Sequence, residues 1–373
     1  MKHVVVLGAG RVGGAIARDL APDFKVTVTD KFPDALGRMR AFGLATRVAD
    51  LAAAAGVKAA VADADIVVGA VPGFMGFATA QAVLEAGKPL VDISFFDEDC
   101  FRLDALAKAQ NLTAIVDCGV APGCGNIILG DTARQLDTVT RFECLVGGLP
   151  VVRRWPFEYK AGFSPIDVIE EYTRPARYVQ AGKIVTFPAL SEPEILDFAG
   201  LGPLESFNTD GLRSILHTFP GVPDMKEKTL RYPGHIELMR VFREVGLFSK
   251  QPIPVNGQSV VPLDVTSALL FPQWTYQADE ADLTIMRITV EGQRGGQPVK
   301  RVVELLDYYD PATKTTSMAR TTGYTCTAVV RLVAEGRFTR QGICPPEYIG
   351  QQAGAWDFIR DRLAERKVIY RER

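Results

Sequence analysis

Histidine is the scarcest ionisable residue in this chain: its 373 residues include only His3, His217 and His235, with no HxxxH spacing and no neighbouring cysteine. A zinc centre, which needs such clusters, is not expected. Cysteine is sparse too, and Cys100, Cys118, Cys124, Cys144, Cys326 and Cys344 form no CxxC pair and sit in apolar or strand-like contexts. They read as reduced intracellular thiols without disulfides. No apolar run reaches the ~18 residues that a bilayer span needs. A strand begins almost at Met1, which leaves no stretch for a secretory leader, so a cytoplasmic, non-membrane protein is expected. An excess of either charge is also lacking. A net charge of −2 with 23% charged residues offers no broad surface for nucleic acid or anionic lipid, so the partner expected is a small molecule. There is no internal repeat and no low-complexity tract that would mark a disordered tail.

What is present begins with Gly8-Ala9-Gly10-Arg11-Val12-Gly13, set between the apolar run Val4 to Leu7 and the helical Ala15-Ile16-Ala17. At a strand-to-helix turn this spacing points to a dinucleotide. The first glycine permits the turn, the second admits a pyrophosphate, and the third lets helix pack on strand. A second apolar run ends in Asp30, at the spacing of an acid that accepts hydrogen bonds from the adenosine ribose. Its charge repels a 2′-phosphate, favouring NAD over NADP, although Lys31 beside it works the other way. Gly8, Gly10, Arg11, Val12, Gly13 and Asp30 form the core of the expected cofactor set, to which the ends of later strands add Asp50, Ala70, Val71, Pro72, Cys118 and Gly119.

Length favours two domains. Continuous Val/Ile/Ala strands at His3 to Leu7, Lys25 to Thr29, Ala45 to Ala49, Ile66 to Ala70, Pro89 to Ile93 and Thr113 to Val116 alternate with helical stretches, which predicts an α/β fold with a doubly wound parallel sheet. The spacing predicts a helix over 126–136 and a long strand over 138–149. Segments at 183–187, 283–291 and 299–307 read as strands, the last two forming a hairpin around Gly292 to Pro298, so a second α+β domain with a mixed, largely antiparallel sheet is expected. A helix over 324–335 stops at Gly336 and returns to the first domain. The expected division is 1–121 with 322–373 for NAD binding, and 122–321 for substrate binding and oligomerisation as a homodimer or larger homo-oligomer.

Asp117-Cys118-Gly119-Val120-Ala121-Pro122-Gly123 closes the sixth strand, and from there the sequence resembles the saccharopine dehydrogenase superfamily, most closely its lysine 6-dehydrogenase branch. The resemblance includes Gly147-Gly148-Leu149-Pro150, Tyr159-Lys160, Glu171 to Arg177, Asn208 to Leu212, Thr229 to His235 and Thr321 to Tyr324. It implies a Rossmann-type domain joined to a mixed-sheet domain, acting on an amine carbon of a lysine-pathway metabolite. Saccharopine-type enzymes carry an arginine after the Tyr-Lys pair, where this chain has Ile166. Their serine-tyrosine pair after the fifth strand becomes Ser94-Phe95. Losing groups that hold a second amino acid would leave a buried anion unpaired, which favours a smaller substrate such as lysine.

Oxidation of a primary amine needs a group to take the ammonium proton before hydride leaves carbon. Asp92 and Asp117 at strand ends, and Lys160 if a dry pocket lowered its pKa, are the candidates. For the substrate carboxylate a planar bidentate donor is wanted, with Arg231 first and Arg177 and Arg213 next. Ser94 and Phe95 mark the expected contact after the fifth strand. Glu171 or Tyr172 could receive an ammonium, and His235 could move protons or serve as a structural residue. Asp92 and Asp117 could equally cap turns, Lys160 could sit in an ordinary ion pair, and Cys118 could be apolar filler. The expected reaction is NAD-dependent deamination of L-lysine at its ε-carbon. The alternatives are a saccharopine-type enzyme acting on a secondary amine, and a non-catalytic NAD-binding sensor.

Overall fold

A computed structural model describes residues 1–277 and 279–373, which fall into two compact units. The first comprises Met1–Thr138, Arg294–Gln297 and Ala319–Tyr370, and the second Val139–Gln293, Pro298–Met318 and Arg371–Arg373. No helix among the described residues is long and apolar enough to cross a membrane. All six cysteines are buried free thiols.

In the first unit β1 (His3–Leu7), β2 (Lys25–Asp30), β3 (Ala45–Val48), β4 (Ile66–Gly69), β5 (Leu90–Asp92) and β6 (Thr113–Ile115) build a parallel sheet in the order 3-2-1-4-5-6. This is the doubly wound arrangement in which the order of strand addition reverses beside β1, so ligand-binding loops gather at the carboxyl edge there. Val4 to Leu7 and Val67 and Val68 are fully buried because helices cover both faces. A seventh parallel strand, Gly342–Cys344, extends the sheet beside β6. Its three residues are too few to show a periodicity in the sequence.

Three boundaries differ from expectation, each for a packing reason. The helix after β6 runs Cys124–Ala133, and it belongs to the first unit rather than opening the second. It meets the short helix Pro346–Gly350 with backbones almost touching: a Cβ on Gly130 would lie 2.2 Å from Glu347 O, and one on Gly350 2.0 Å from Ile127 O. The C-terminal helix begins at Ser317, not near 324. Gly323, outside the expected helix, lies inside the observed one, where an added Cβ would sit 3.2 Å from Ile16 Cγ1 of α1 (Arg11–Leu20). The far end falls as expected, with Gly336 at φ +70°.

The second unit's sheet is mixed and mostly antiparallel, running Glu194–Phe198, Gly202–Asn208, Asp224–Arg231, Thr138–Pro150, Asp282–Arg294, Gln297–Tyr308 and Tyr370–Glu372. Its central pair, Thr138–Pro150 with Asp224–Arg231, is parallel. The expected hairpin is longer than the sequence indicated. Gly295 and Gly296, at φ +58° and +75°, make a two-residue turn of the type that only such residues accept easily, so the strands continue to Arg294 and from Gln297. Along Asp224–Arg231, Leu230 enters an aliphatic core with Leu145, Leu204 and Ile285. Helices Pro165–Thr173, His235–Glu244 and Pro262–Trp274 contribute Ile169, Tyr172, Met239, Leu270 and Trp274 to a second, aromatic core with Phe207. Arg231 is stacked among these rings.

Candidate functional site

The three glycines of the first loop do different work. Gly8, at φ +114°, accepts no side chain, since a Cβ would lie 2.3 Å from Ala70 O, and a Cβ on Gly13 would lie 2.2 Å from Gly8 O. At Gly10 nothing stands within 4 Å of the added atom. Two glycines therefore pack strand, helix and the β4 end together, and the middle one floors an open cradle at the N-terminus of α1. Arg11 is exposed and Val12 half-buried at its mouth. Asp30 closes β2 with both oxygens held: Ala9 N–H donates to Oδ2 at 2.7 Å and Phe32 N–H to Oδ1 at 3.0 Å. The Lys31 ammonium lies 5.2 Å from the centre of the Phe32 ring. A glycine cradle, a helix N-terminus and a fixed acid at the neighbouring strand end fit a dinucleotide's diphosphate and adenosine ribose. Ala70 and Val71 back the cradle and half-buried Pro72 precedes the helix Gly73–Glu85. Asp50 does not join the cradle by any bond; it is exposed and accepts Ala52 N–H at 3.0 Å.

Farther along the same edge, several expected contacts turn inward. Asp92 is completely buried, and its Oδ2 and Oδ1 accept the Ser94 N–H at 2.9 Å and the Ser94 hydroxyl at 3.0 Å. Gly69 makes room for it, because a Cβ there would lie 1.8 Å from Asp92 Oδ1. Ser94 thus holds Asp92 rather than offering its hydroxyl outward, and Phe95 beside it is half-buried. Cys118 is also enclosed, with burial and the adjoining Cys326 thiol pushing its pKa well above the usual range. It packs in the interior, as the reading of apolar filler has it. Gly119 belongs to a tight turn in which its N–H donates to Pro122 O at 3.1 Å and its carbonyl receives Cys124 N–H at 3.0 Å. Asp117, buried at φ +54°, holds the left-handed conformation that Asp tolerates better than most residues.

In the second unit, four residues expected from two separate motif blocks converge. Arg231 NH2 donates to Glu171 Oε2 at 2.6 Å, Arg231 Nε to Tyr172 Oη at 3.2 Å, and Tyr172 shares a 2.9 Å hydrogen bond with His235 Nε2. The guanidinium carbon stacks 4.4 Å above the Tyr159 ring, with Tyr172 and Phe207 each at 5.8 Å. Burial raises the pKa of Glu171 and Arg231 partly offsets it. Burial also raises the Tyr172 phenol. The His235 pKa is driven down to about 3 by burial and by Arg231, which favours the neutral imidazole. Other candidates have different partners. Lys160 Nζ is paired with Glu280 at 2.6 Å and donates to Thr275 O at 3.3 Å, the ordinary ion pair that was the alternative to a role as base. Arg177 spends its fork on Asp210, at 2.9 and 2.8 Å. Arg213 is buried at φ +45°. Tyr159 and Trp274, whose rings lie 5.4 Å apart inside this cluster, received no role from the sequence. Their only signal in the sequence is the Tyr-Lys dipeptide that holds Tyr159.

A doubly wound sheet with this glycine loop defines a Rossmann-type dinucleotide fold. Residues 4–115 match the saccharopine dehydrogenase NADP binding domain and residues 119–369 the saccharopine dehydrogenase C-terminal domain. The chain belongs to the saccharopine dehydrogenase family. It is similar to the mitochondrial alpha-aminoadipic semialdehyde synthase of Mus musculus, 26% identical over 280 residues, covering 70% of this chain and 30% of that protein. The chain therefore spans less than a third of the length of that relative. A carboxyaminopropylagmatine dehydrogenase of Synechocystis is 22% identical over 330 residues, 80% of this chain and 79% of its own. Among solved structures, apo saccharopine dehydrogenase (L-Glu forming) from Saccharomyces cerevisiae has the same fold, with a TM-score of 0.81 at 18% identity over 100% of this chain and 99% of that one.

Proposed function

We propose that the chain is an NAD-dependent amine dehydrogenase that deaminates L-lysine at its ε-carbon. Lysine, NAD and water give 2-aminoadipate 6-semialdehyde, ammonium, NADH and a proton, and the aldehyde then closes on the α-amine with loss of water to Δ1-piperideine-6-carboxylate. The observation that carries this reading is how the second unit spends its cations. Lys160 is committed to Glu280 and Arg177 to Asp210, while Ile166, standing where the saccharopine-type pattern has an arginine, packs against the aromatic core. A substrate with one amino-acid head asks less of such a set than one with two.

Gly10 and the N-terminus of α1 would hold the diphosphate of the dinucleotide, and Asp30 the adenosine ribose. The bound nicotinamide supplies the hydride acceptor. Asp30 is fixed by two backbone N–H groups and cannot swing away cheaply, so a 2′-phosphate there would set charge against charge, which supports NAD over NADP. The ε-ammonium, with an ordinary pKa of ~10.4, must lose a proton before its carbon is oxidised, and Asp117 at the end of β6 is the group assigned to take it.

A second reading is favoured by the names of the relatives. A Pyricularia oryzae protein 22% identical over 263 residues is a saccharopine dehydrogenase [NADP(+), L-glutamate-forming], which speaks for a secondary amine and for NADP. Following absorbance at 340 nm with lysine, saccharopine, ornithine and cadaverine, each with NAD and with NADP, decides between them. Lysine with NAD is expected to give the fastest NADH formation. Turnover of saccharopine alone, or a strict requirement for glutamate in the reductive direction, would transfer the assignment to the second reading.

A further inference from the structure

We infer that Arg231 and Glu171 together form a receptor for the α-amino-acid head of the substrate, the guanidinium taking its carboxylate and Glu171 its ammonium. The inference rests on the amine dehydrogenase reading and names the part of the substrate that the second unit recognises. Charge balance is the first argument. The Arg231 side chain is 2% exposed and that of Glu171 19%, so the two opposite charges sit in a poorly solvated place and already cancel. A lone carboxylate or a lone ammonium entering there would leave an uncompensated charge, whereas a zwitterionic head adds none.

Valence is the second argument. A guanidinium has five N–H donors. Arg231 spends Nε on Tyr172, one proton of NH1 on Leu230 O at 3.0 Å and one of NH2 on Glu171, which leaves one N–H on each terminal nitrogen. On Glu171, Oε2 receives the arginine and Oε1 keeps its accepting capacity. Within the same cluster the indole N–H of fully buried Trp274 has no acceptor. The surplus is thus several donors and one carboxylate oxygen, complementary to a carboxylate beside an ammonium. Rigidity is the third argument. Tyr159 stacks under the guanidinium, and the chain from Arg231 through Tyr172 and His235 to Phe157 O fixes its Nε edge, so little ordering is left for the ligand to cost.

Calorimetric titration of the full chain with L-lysine, 6-aminohexanoate and cadaverine separates the two head charges. 6-Aminohexanoate lacks the α-ammonium, and cadaverine lacks the α-carboxylate. L-lysine is expected to bind about 100-fold more tightly than either, as loss of one buried charged contact implies. In Glu171→Gln, lysine affinity is expected to fall to that of 6-aminohexanoate, while 6-aminohexanoate itself is unaffected or improved. The ligand series on the unaltered chain stands whether or not that variant folds. Affinities of lysine and either analogue within about threefold, or no heat from lysine, would overturn the receptor, leaving Arg231–Glu171 a purely structural ion pair. The two proposals fail separately. Cadaverine oxidised as readily as lysine sinks the receptor and spares the dehydrogenase, and head-dependent lysine binding without NADH formation does the reverse.

Discussion

Tyr172 donates its hydroxyl proton to His235 Nε2 across 2.9 Å, and the direction of that bond is set from the other side of the imidazole. His235 Nδ1 lies 2.8 Å from Phe157 O, which can only accept, so Nδ1 carries the ring proton and Nε2 the lone pair. Tyr172 Oη is left to accept from Arg231 Nε at 3.2 Å. A single neutral imidazole tautomer thereby aligns the guanidinium.

That neutrality makes stability depend on acidity. In the unfolded chain His235 titrates near 6.5, and in the fold at about 3, because burial and then Arg231 oppose its charge. Its contribution is complete above the unfolded value and falls by about 1.4 kcal/mol for each pH unit below it, until the folded value is passed. Urea denaturation at stepped pH should show this slope beneath pH 6.5, and His235→Asn should flatten it. An identical slope in the variant would assign the acid sensitivity to carboxylates.

The glycine loop predicts a split between stability and binding. Gly13→Ala drives a Cβ to 2.2 Å from Gly8 O and should lower stability by roughly 1–3 kcal/mol, the usual cost of overpacking. Gly10→Ala meets nothing within 4 Å and should melt like the parent, yet bind NAD at least about tenfold more weakly, since its methyl occupies the diphosphate's place. Thermal melts beside calorimetric NAD titration would test both. Full NAD affinity in Gly10→Ala would move the diphosphate elsewhere.

Asp30 gives a cofactor-exchange prediction. Replacing it with serine removes the charge that opposes a 2′-phosphate and the strong acceptor for the ribose hydroxyls. NAD affinity should fall between about tenfold and a hundredfold, while NADP affinity rises. A preference unchanged by Asp30→Ser would mean that Lys31, which lies over Phe32 here, sets selectivity by swinging inward.

The first unit was the more legible because its signals are local. Continuous apolar runs such as Val4 to Leu7 and Ile66 to Gly69 mark strands covered on both faces, and the glycine loop announces its own turn. The strand Gly342–Cys344 carries no such signal and exists because β6 offers it an edge. In the second unit the motif blocks brought Glu171, Tyr172, Arg231 and His235 to notice, and the fold joins them. Choice of partner was what the sequence concealed. Lys160 finds Glu280 across 120 positions and Arg177 finds Asp210 across 33, so a free cation and a paired one look alike until the chain is folded. The direction of Ser94 was concealed for a related reason: whether a residue after a strand faces outward or turns to Asp92, as Ser94 does, depends on a single turn.

Asp117 is the remaining carboxylate with a proposed part in proton transfer, and its backbone suggests the cleanest substitution. At φ +54° most side chains would be strained, but asparagine, like aspartate, is at ease there. Asp117→Asn should therefore fold and melt like the parent and bind NAD equally well, while losing only the capacity to accept a proton. Turnover with lysine should fall by about 100-fold or more, the range expected for loss of a general base, and raising the pH should recover part of the rate as more of the amine arrives already neutral. Turnover that stays near the parental rate at every pH would remove Asp117 from the chemistry.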